Sequence, residues 1–313
     1  MTKKLDFCFF GSSSFSLYCL KEIIKKFIPS LVITLPAKPK GRGLKLQPND
    51  VYVFCLKNKL AVIELKNWSE FNLSFEFGLI AGFGKIIPFE VFKNFKKGIL
   101  NIHPSLLPKY RGANPIRETI LNGDQLTGVT IILTDELVDH GPIIAQKEIT
   151  LTQQEYYLEL EEKLGKLGGQ TFNEIIDDYL QNKIKPIEQN HSLATFTKKI
   201  TKEDGLLSIK DKFFIWDRKI RAFNPWPGTF IKILIKNEEK ILKIFRIEKL
   251  EPTDKHLTNL EIGSFFRYQN ELGLRIIDSF ILIKELQLQD RKKMSSKEFL
   301  NGYKLEYLKI LEK

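Results

Sequence analysis

Residues 5–36 read LDFCFFGSSSFSLYCLKEIIKKFIPSLVITLP. The apolar run LDFCFFG predicts a buried strand and SSSFS a turn; SLYCLKEIIKKF predicts an amphipathic helix and SLVITLP a second strand. Further along, LAVIEL (60–65), FGLIAGFG (77–84) and GILNIH (98–103) are short apolar runs set between polar or helical stretches. Apolar strands alternating with helices predict an α/β domain with a mostly parallel sheet. Such sheets receive ligands beyond the carboxyl ends of their strands, where Gly82, Gly84, Asn101 and His103 fall. Neither GSSS at 11–14 nor GFG at 82–84 has the GxGxxG spacing of a dinucleotide site, and no acidic residue lies about 20 positions after Gly11.

The 313 residues suffice for one large domain and a smaller one. No apolar run reaches the about 18 residues of a membrane span. The amino-terminal MTKKLDFCFFGSSSFS lacks the long apolar region and cleavage site of a secretory leader, so the expected location is cytoplasmic. Cys8, Cys19 and Cys55 have neither metal-ligand nor CxxC spacing, and Cys8 in the first strand and Cys19 on the following helix read as small buried hydrophobes. The net charge of +11 divides into +5 over residues 1–199 and +6 over 200–313, carried by 40 lysines and only 9 arginines. This lysine bias permits an anionic partner such as nucleic acid without requiring one.

The chemistry concentrates in residues 98–144, GILNIHPSLLPKYRGANPIRETILNGDQLTGVTIILTDELVDHGPII. Asn101 and His103 are two residues apart, so an extended backbone puts both side chains on one face. Asp139 follows another apolar run, in the turn-forming VDHG. Moving a formyl or acyl group onto an amine requires deprotonating the amine, stabilising an oxyanion and protonating the departing nitrogen. A histidine, with its ordinary pKa of about 6.5, handles the protons. An asparagine N–H stabilises the oxyanion, and an aspartate holds the histidine or orders a water. Taken singly, each has a plainer reading: a strand-end cap, a satisfied histidine before Pro104, a turn residue before Gly141. Their grouping favours chemistry.

Arg111, in KYRGANP ahead of a short helix beginning near Pro115, either fixes an anion or ties down its loop. His140 has no paired ligand, and no Cys, Glu or second His stands at metal spacing, so no metal is expected. The loop PAKPKGRGLKLQP (36–48) carries Lys38, Lys40, Arg42 and Lys45. It reads either as a solvated crossover or as a clamp on a phosphorylated substrate.

Residues 151–181 predict a helical region with a capping box at Thr152 and Glu155, and the Gly168–Gly169 pair marks close packing or a break. NKIKPIEQNHSLATFTKKITKEDG (182–205) has no clean periodicity and predicts a linker. A helix in KDKFFIWDRKIRAF stops at Asn224-Pro225 and Pro227. Beyond it, GTFIKILI, KILKIFRIEKL, LEIGSFFRY and LGLRIIDSFILIKEL predict a small β-barrel of the oligonucleotide-binding type. SSKEFLNGYKLEYLK predicts a terminal helix capped by Ser295 or Ser296. The expected division is a catalytic domain over 1–189, a linker over 190–206 and a carboxyl-terminal barrel over 207–313.

NIHPSLLPKYRGANPI, TGVTIILTDELVDHGPII, AKPKGRGLKLQP, FTKKITKEDG and IRAFNPWPGTF together resemble the methionyl-tRNA formyltransferases, within the 10-formyltetrahydrofolate-dependent formyltransferase superfamily. The resemblance covers nearly the whole chain in the same order. It implies a Rossmann-like first domain, a tRNA-binding second domain and a monomer. Asn101, His103 and Asp139 would be catalytic. The folate donor would lie against Phe83, Gly84, Lys85, Ile86 and Ile87 and against Val138, His140 and Gly141. Ser105, Leu106, Leu107 and Pro108 would wall the reaction centre. Lys38, Lys40, Arg42, Lys45 and Arg111 would bind the methionine-charged initiator tRNA. The chain departs from the family in having Gly11-Ser12-Ser13 where many members have Thr-Pro after the glycine. It also lacks the usual Asp-Trp after Gly205. A glycinamide ribonucleotide formyltransferase, a formyl-folate hydrolase or a sugar-amine formyltransferase would share the central residues but leave the basic loop and tail unexplained. A noncatalytic RNA-binding protein would not need the Asn-His-Asp set.

Overall fold

The computed structural model describes residues 2–40, 45–251 and 255–311, which divide into two units. The first runs up to Thr119 and includes Asp124–Gln153 and Leu158–Lys198; the second comprises Ile120–Gly123, Gln154–Tyr157 and the chain from Lys199 on.

The first unit is built on a seven-stranded sheet. Its order is Ile143–Thr150, Leu126–Leu133, Ile99–His103, Phe77–Ile80, Phe7–Phe10, Leu31–Thr34 and Val62–Glu64. The last five pair in parallel, and Leu126–Leu133 and Ile143–Thr150 add an antiparallel hairpin at one edge. Phe7–Phe10 is apolar and buried throughout, and its flanking strands leave in opposite directions through the sheet order. This makes its carboxyl end the topological switch point.

The Gly11-Ser12-Ser13 turn occupies that point and ties three strand ends together. Ser13 caps the helix Ser14–Ile23 in a reciprocal box with Ser16. The Ser16 hydroxyl donates to the Ala81 carbonyl at 2.5 Å, and Ser12 Oγ accepts from the Leu35 N–H at 3.0 Å. Gly82 lies opposite at φ 54°, where a Cβ would stand 2.3 Å from Ser13 Oγ. Only glycine satisfies both the backbone angle and the approach.

Two sequence expectations change here. The basic segment is in part a β-hairpin, Lys38–Lys40 against Lys45–Gln47, with Lys40 opposite Lys45. Arg42 lies outside the described residues. The helix in 151–181 begins at Tyr157, not at Thr152, because Gln153 takes φ 68° and breaks any helix starting there. It then runs unbroken to Leu180. Gly168 and Gly169 are contact points: added Cβ atoms would stand 2.5 Å from Ile102 Cγ2 and 2.6 Å from the Cys19 carbonyl oxygen.

The second unit is an antiparallel sheet in the order Phe265–Tyr268, Glu271–Arg275, Phe280–Leu288, Glu238–Leu250, Thr229–Ile235 and Leu308–Ile310. Register shifts on either side of Arg246 interrupt the long strand Glu238–Leu250. Such bulges bend a strand and sharpen its twist, and the sheet curls into a half-barrel of the oligonucleotide-binding kind. Inside it pack Ile231, Ile233, Leu242, Leu272 and Ile283 with Trp216 of the helix Phe213–Phe223 and Phe299 of the helix Ser296–Gly302. Ser295 and Glu298 form the capping box of that last helix. The helix is not terminal: the chain ends its described course in a strand, with Leu308 paired to Ile235. Among the described residues no helix is long and apolar enough to cross a membrane.

Candidate active site

The strand Ile99–His103 and the loop after Leu126–Leu133 bring Asn101, His103 and Asp139 together at the carboxyl end of the sheet. Asn101 Nδ2 donates to Asp139 Oδ1 at 3.0 Å. His103 is buried, and its Nε2 lies 2.9 Å from the Tyr110 carbonyl oxygen. A carbonyl can only accept, so Nε2 carries the hydrogen. Nδ1, 3.4 Å from Asp139 Oδ1, is therefore the nitrogen without a hydrogen in the neutral ring, and it lies beside a carboxylate. The distance exceeds the about 2.7–2.9 Å of a tight charged pair.

Asp139 stands at φ 51°, a left-handed conformation that aspartate tolerates better than most residues and that surrounding bonds must hold. The Gly112 N–H donates to its Oδ2 at 2.8 Å. Gly112 has φ 106°, and a Cβ there would come within 2.8 Å of Thr197 Oγ1, so any side chain would shift this donor. Gln189 Nε2 donates to the Asp139 carbonyl at 3.0 Å and to that of Gly141 at 2.7 Å. Tyr110, whose carbonyl orients His103, donates its own N–H to Thr195 Oγ1 at 2.8 Å.

Around this cluster, Phe83 and Ile87 are buried with Phe10 and Phe71, leaving their backbone beside exposed Gly84, Lys85 and Ile86. Ser105 is buried and donates to the Lys109 carbonyl at 2.6 Å. The Leu107 N–H donates to Thr130 Oγ1 at 3.0 Å, and its carbonyl accepts from Gln146 Nε2 at 2.9 Å. These bonds pin Ser105–Pro108, with Leu106 and Pro108 half-buried. Val138 is exposed and Gly141 buried; His140 bonds Asp135 Oδ2 through Nδ1 at 2.7 Å and stacks on His191 with ring centres 4.1 Å apart. Lys38 is exposed on the basic hairpin. Arg111 is buried, with Nη2 2.7 Å from Gln189 Oε1 and 2.8 Å from His191 Nδ1.

The reading of the sequence missed Tyr110, Gly112, Gln189, Thr195 and Thr197. Two of them act through backbone atoms, and the other three lie in an aperiodic polar stretch where no pattern marks them. All three cysteines are buried. Burial pushes the Cys55 thiol up to about 12 and raises Cys8 and Cys19 well above their ordinary value, so none is a thiolate nucleophile near neutral pH.

A sheet with paired polar groups at the carboxyl ends of its strands is shared by many enzymes; comparison with known proteins narrows the class. The family model described as Formyl transferase matches residues 7–176, and that described as Formyl transferase, C-terminal domain, matches residues 199–304. A methionyl-tRNA formyltransferase of Caldicellulosiruptor saccharolyticus is 35% identical, over 98% of this chain and 100% of its own length. One of Buchnera aphidicola is 31% identical, over 96% and 97%. Among solved structures, an N-formyltransferase from Helicobacter canadensis in complex with folinic acid and dTDP-3-aminofucose shares the fold. It superposes with a TM-score of 0.64 at 20% identity, over 89% of this chain and 98% of its own. The chain belongs to the methionyl-tRNA formyltransferase family.

Proposed function

We propose that the protein transfers the formyl group of 10-formyltetrahydrofolate to the α-amino group of methionine on charged initiator tRNA, acting as a cytoplasmic monomer. The observation that carries this reading is the Asn101–His103–Asp139 cluster at the end of the sheet, in a chain similar over its whole length to methionyl-tRNA formyltransferases. The methionine amine attacks the formyl carbon, forming the new C–N bond as the carbonyl becomes an oxyanion. Asn101 Nδ2 carries a second N–H besides the one given to Asp139, and this faces the oxyanion; such a donor contributes about 3 kcal/mol in the transition state. His103 Nδ1 takes a proton from the amine nitrogen as its bond to the formyl carbon forms, and returns it to the folate N10 as that C–N bond breaks. Asp139 stabilises the intervening imidazolium.

Phe83–Ile87 and Val138–Gly141 hold the pterin in this reading, and Ser105–Pro108 close the wall. Residues 1–189 carry the chemistry, 190–206 link the domains and 207–313 follow the tRNA backbone. Lys38, Lys40, Arg42 and Lys45 reach the acceptor end. Purified protein, 10-formyltetrahydrofolate and methionyl initiator tRNA should yield formylmethionine on the tRNA, one per folate consumed, followed by mass. Formate released with unmodified methionine would make the protein a hydrolase instead. Arg42→Ala should slow transfer while leaving folate affinity within about 2-fold, since backbone contacts are individually weak and salt-sensitive. A loss of folate affinity alone would refute the loop assignment.

A further inference from the structure

The reading of the site leaves one buried polar side chain unexplained. Gln189 is 4% exposed and makes four hydrogen bonds with two loops that flank the reacting residues. Its Nε2 donates to the carbonyls of Asp139 and Gly141, at 3.0 and 2.7 Å. Its Oε1 accepts from Arg111 Nε at 3.3 Å and Nη2 at 2.7 Å. The amide can sit only this way round, because guanidinium groups only donate and carbonyls only accept. Arg111 in turn stands between Tyr110 and Gly112, the two residues whose backbone touches His103 and Asp139. Its own backbone is held on both sides by the segment Gln189 comes from: its N–H donates to the Thr195 carbonyl and its carbonyl accepts the Thr197 N–H, both at 2.8 Å. Ile187, two residues before Gln189, exchanges both backbone bonds with Ile143 at 2.7 and 2.9 Å.

We infer that Gln189 and Arg111 form a positioning pair that holds Asp139 in its left-handed conformation and sets its distance to Asn101 and His103. The inference rests on the proposed formyl transfer for its kinetic consequence, and on geometry alone for its structural one. Gln189 touches no reacting atom; it acts through Asp139. Arg111, expected from the sequence either to bind an anion or to brace its loop, has the second role. The segment 187–197 thereby becomes part of the catalytic frame, since it bonds the two loops whose residues hold His103 and Asp139, and Asp139 in turn holds Asn101.

Gln189→Glu tests this at constant shape. The new carboxylate keeps an acceptor for Arg111 but turns an oxygen toward the two carbonyls, so both bonds to the Asp139 loop are lost. In its crystal structure the Asp139 carboxylate should leave Asn101; an unmoved Asp139 overturns the inference whatever the acceptor proves to be. In kinetics, kcat should fall by about 10-fold or more, as misplacement of a reacting group by about 1 Å does. KM for tRNA and for folate should stay within about 2-fold. In an Asp139→Asn background the same substitution should cost little, because its route is already broken. An undiminished kcat, or an equal loss in both backgrounds, contradicts the inference. Failure of the parent protein itself to formylate methionyl initiator tRNA would refute the functional reading, leaving the position of Asp139 in the variant to decide this one.

Discussion

The two units use polar burial differently. In the first, a group of buried polar side chains stands about the carboxyl end of the parallel strands: Ser16, Thr34, His103, Ser105, Arg111, Thr130 and Gln189. Most of them bond loops that the sheet itself does not reach. In the second, the interior from Trp216 to Phe299 is apolar. Its buried hydroxyls serve the sheet instead: Thr229 Oγ1 donates to the Ile244 carbonyl, and Ser296 Oγ to that of Ile283. In the proposed reaction the buried polarity of the first unit would position reactants, whereas the sheet core of the second unit is apolar. Substitutions should therefore divide into those that remove rate and those that remove stability.

The largest effect belongs to the first unit. His103→Ala should lower the single-turnover formylation rate by about 10²–10⁴-fold, the usual contribution of a general acid–base group. Initiator tRNA binding by filter retention should be nearly unchanged. A variant as active as its parent would remove His103 from the mechanism. Asn101→Ala should cost about 10²–10³-fold in kcat, with melting temperature little affected. A purely structural asparagine would give the reverse.

In the second unit the effects are on stability. Phe299 is fully buried and stacks on Tyr303 with centres 4.7 Å apart. Phe299→Ala should destabilise the unit by about 3–5 kcal/mol in denaturant titration. A loss below about 1 kcal/mol would mean that this core can collapse around the cavity.

Smaller still is the helix cap. Ser295→Ala should cost about 0.5–2 kcal/mol. The Ser295 N–H, and secondarily its hydroxyl, hold the Glu298 carboxyl below its ordinary value of 4.5. A carboxyl lowered on folding stabilises above its unfolded pKa and loses that contribution as pH falls through the folded one. The backbone N–H remains in alanine, so only the part of the gap between parent and Ser295→Ala that comes from the hydroxyl's bond to Glu298 should narrow as pH drops below about 4.5. A gap independent of pH would leave the Ser295 hydroxyl acting only as the acceptor of the Glu298 N–H.

Much of this organisation is legible in the sequence because it is periodic. Phe7–Phe10 and Ile99–His103 are strands in any reading of their apolar runs, and the separation of two places Asn101 and His103 on one face. The Thr152–Glu155 pair matches a capping motif in letters, yet Gln153 adopts a backbone angle that no motif encodes. Leu308–Ile310 is three residues long, too short for alternation to distinguish it from the end of a helix. Gln189 is illegible for another reason. Its partners are backbone carbonyls about 50 positions away, and a carbonyl is present at every residue.

In the proposed reaction the polar end of the first unit moves a formyl group onto methionine carried by the initiator tRNA. Its most direct test is the rate of formylmethionine formation from 10-formyltetrahydrofolate with methionyl initiator tRNA, set against methionyl elongator tRNA. Rapid product on the initiator and little on the elongator is the expected result. A folded protein that binds folate and formylates neither would rule out formyl transfer to the initiator tRNA.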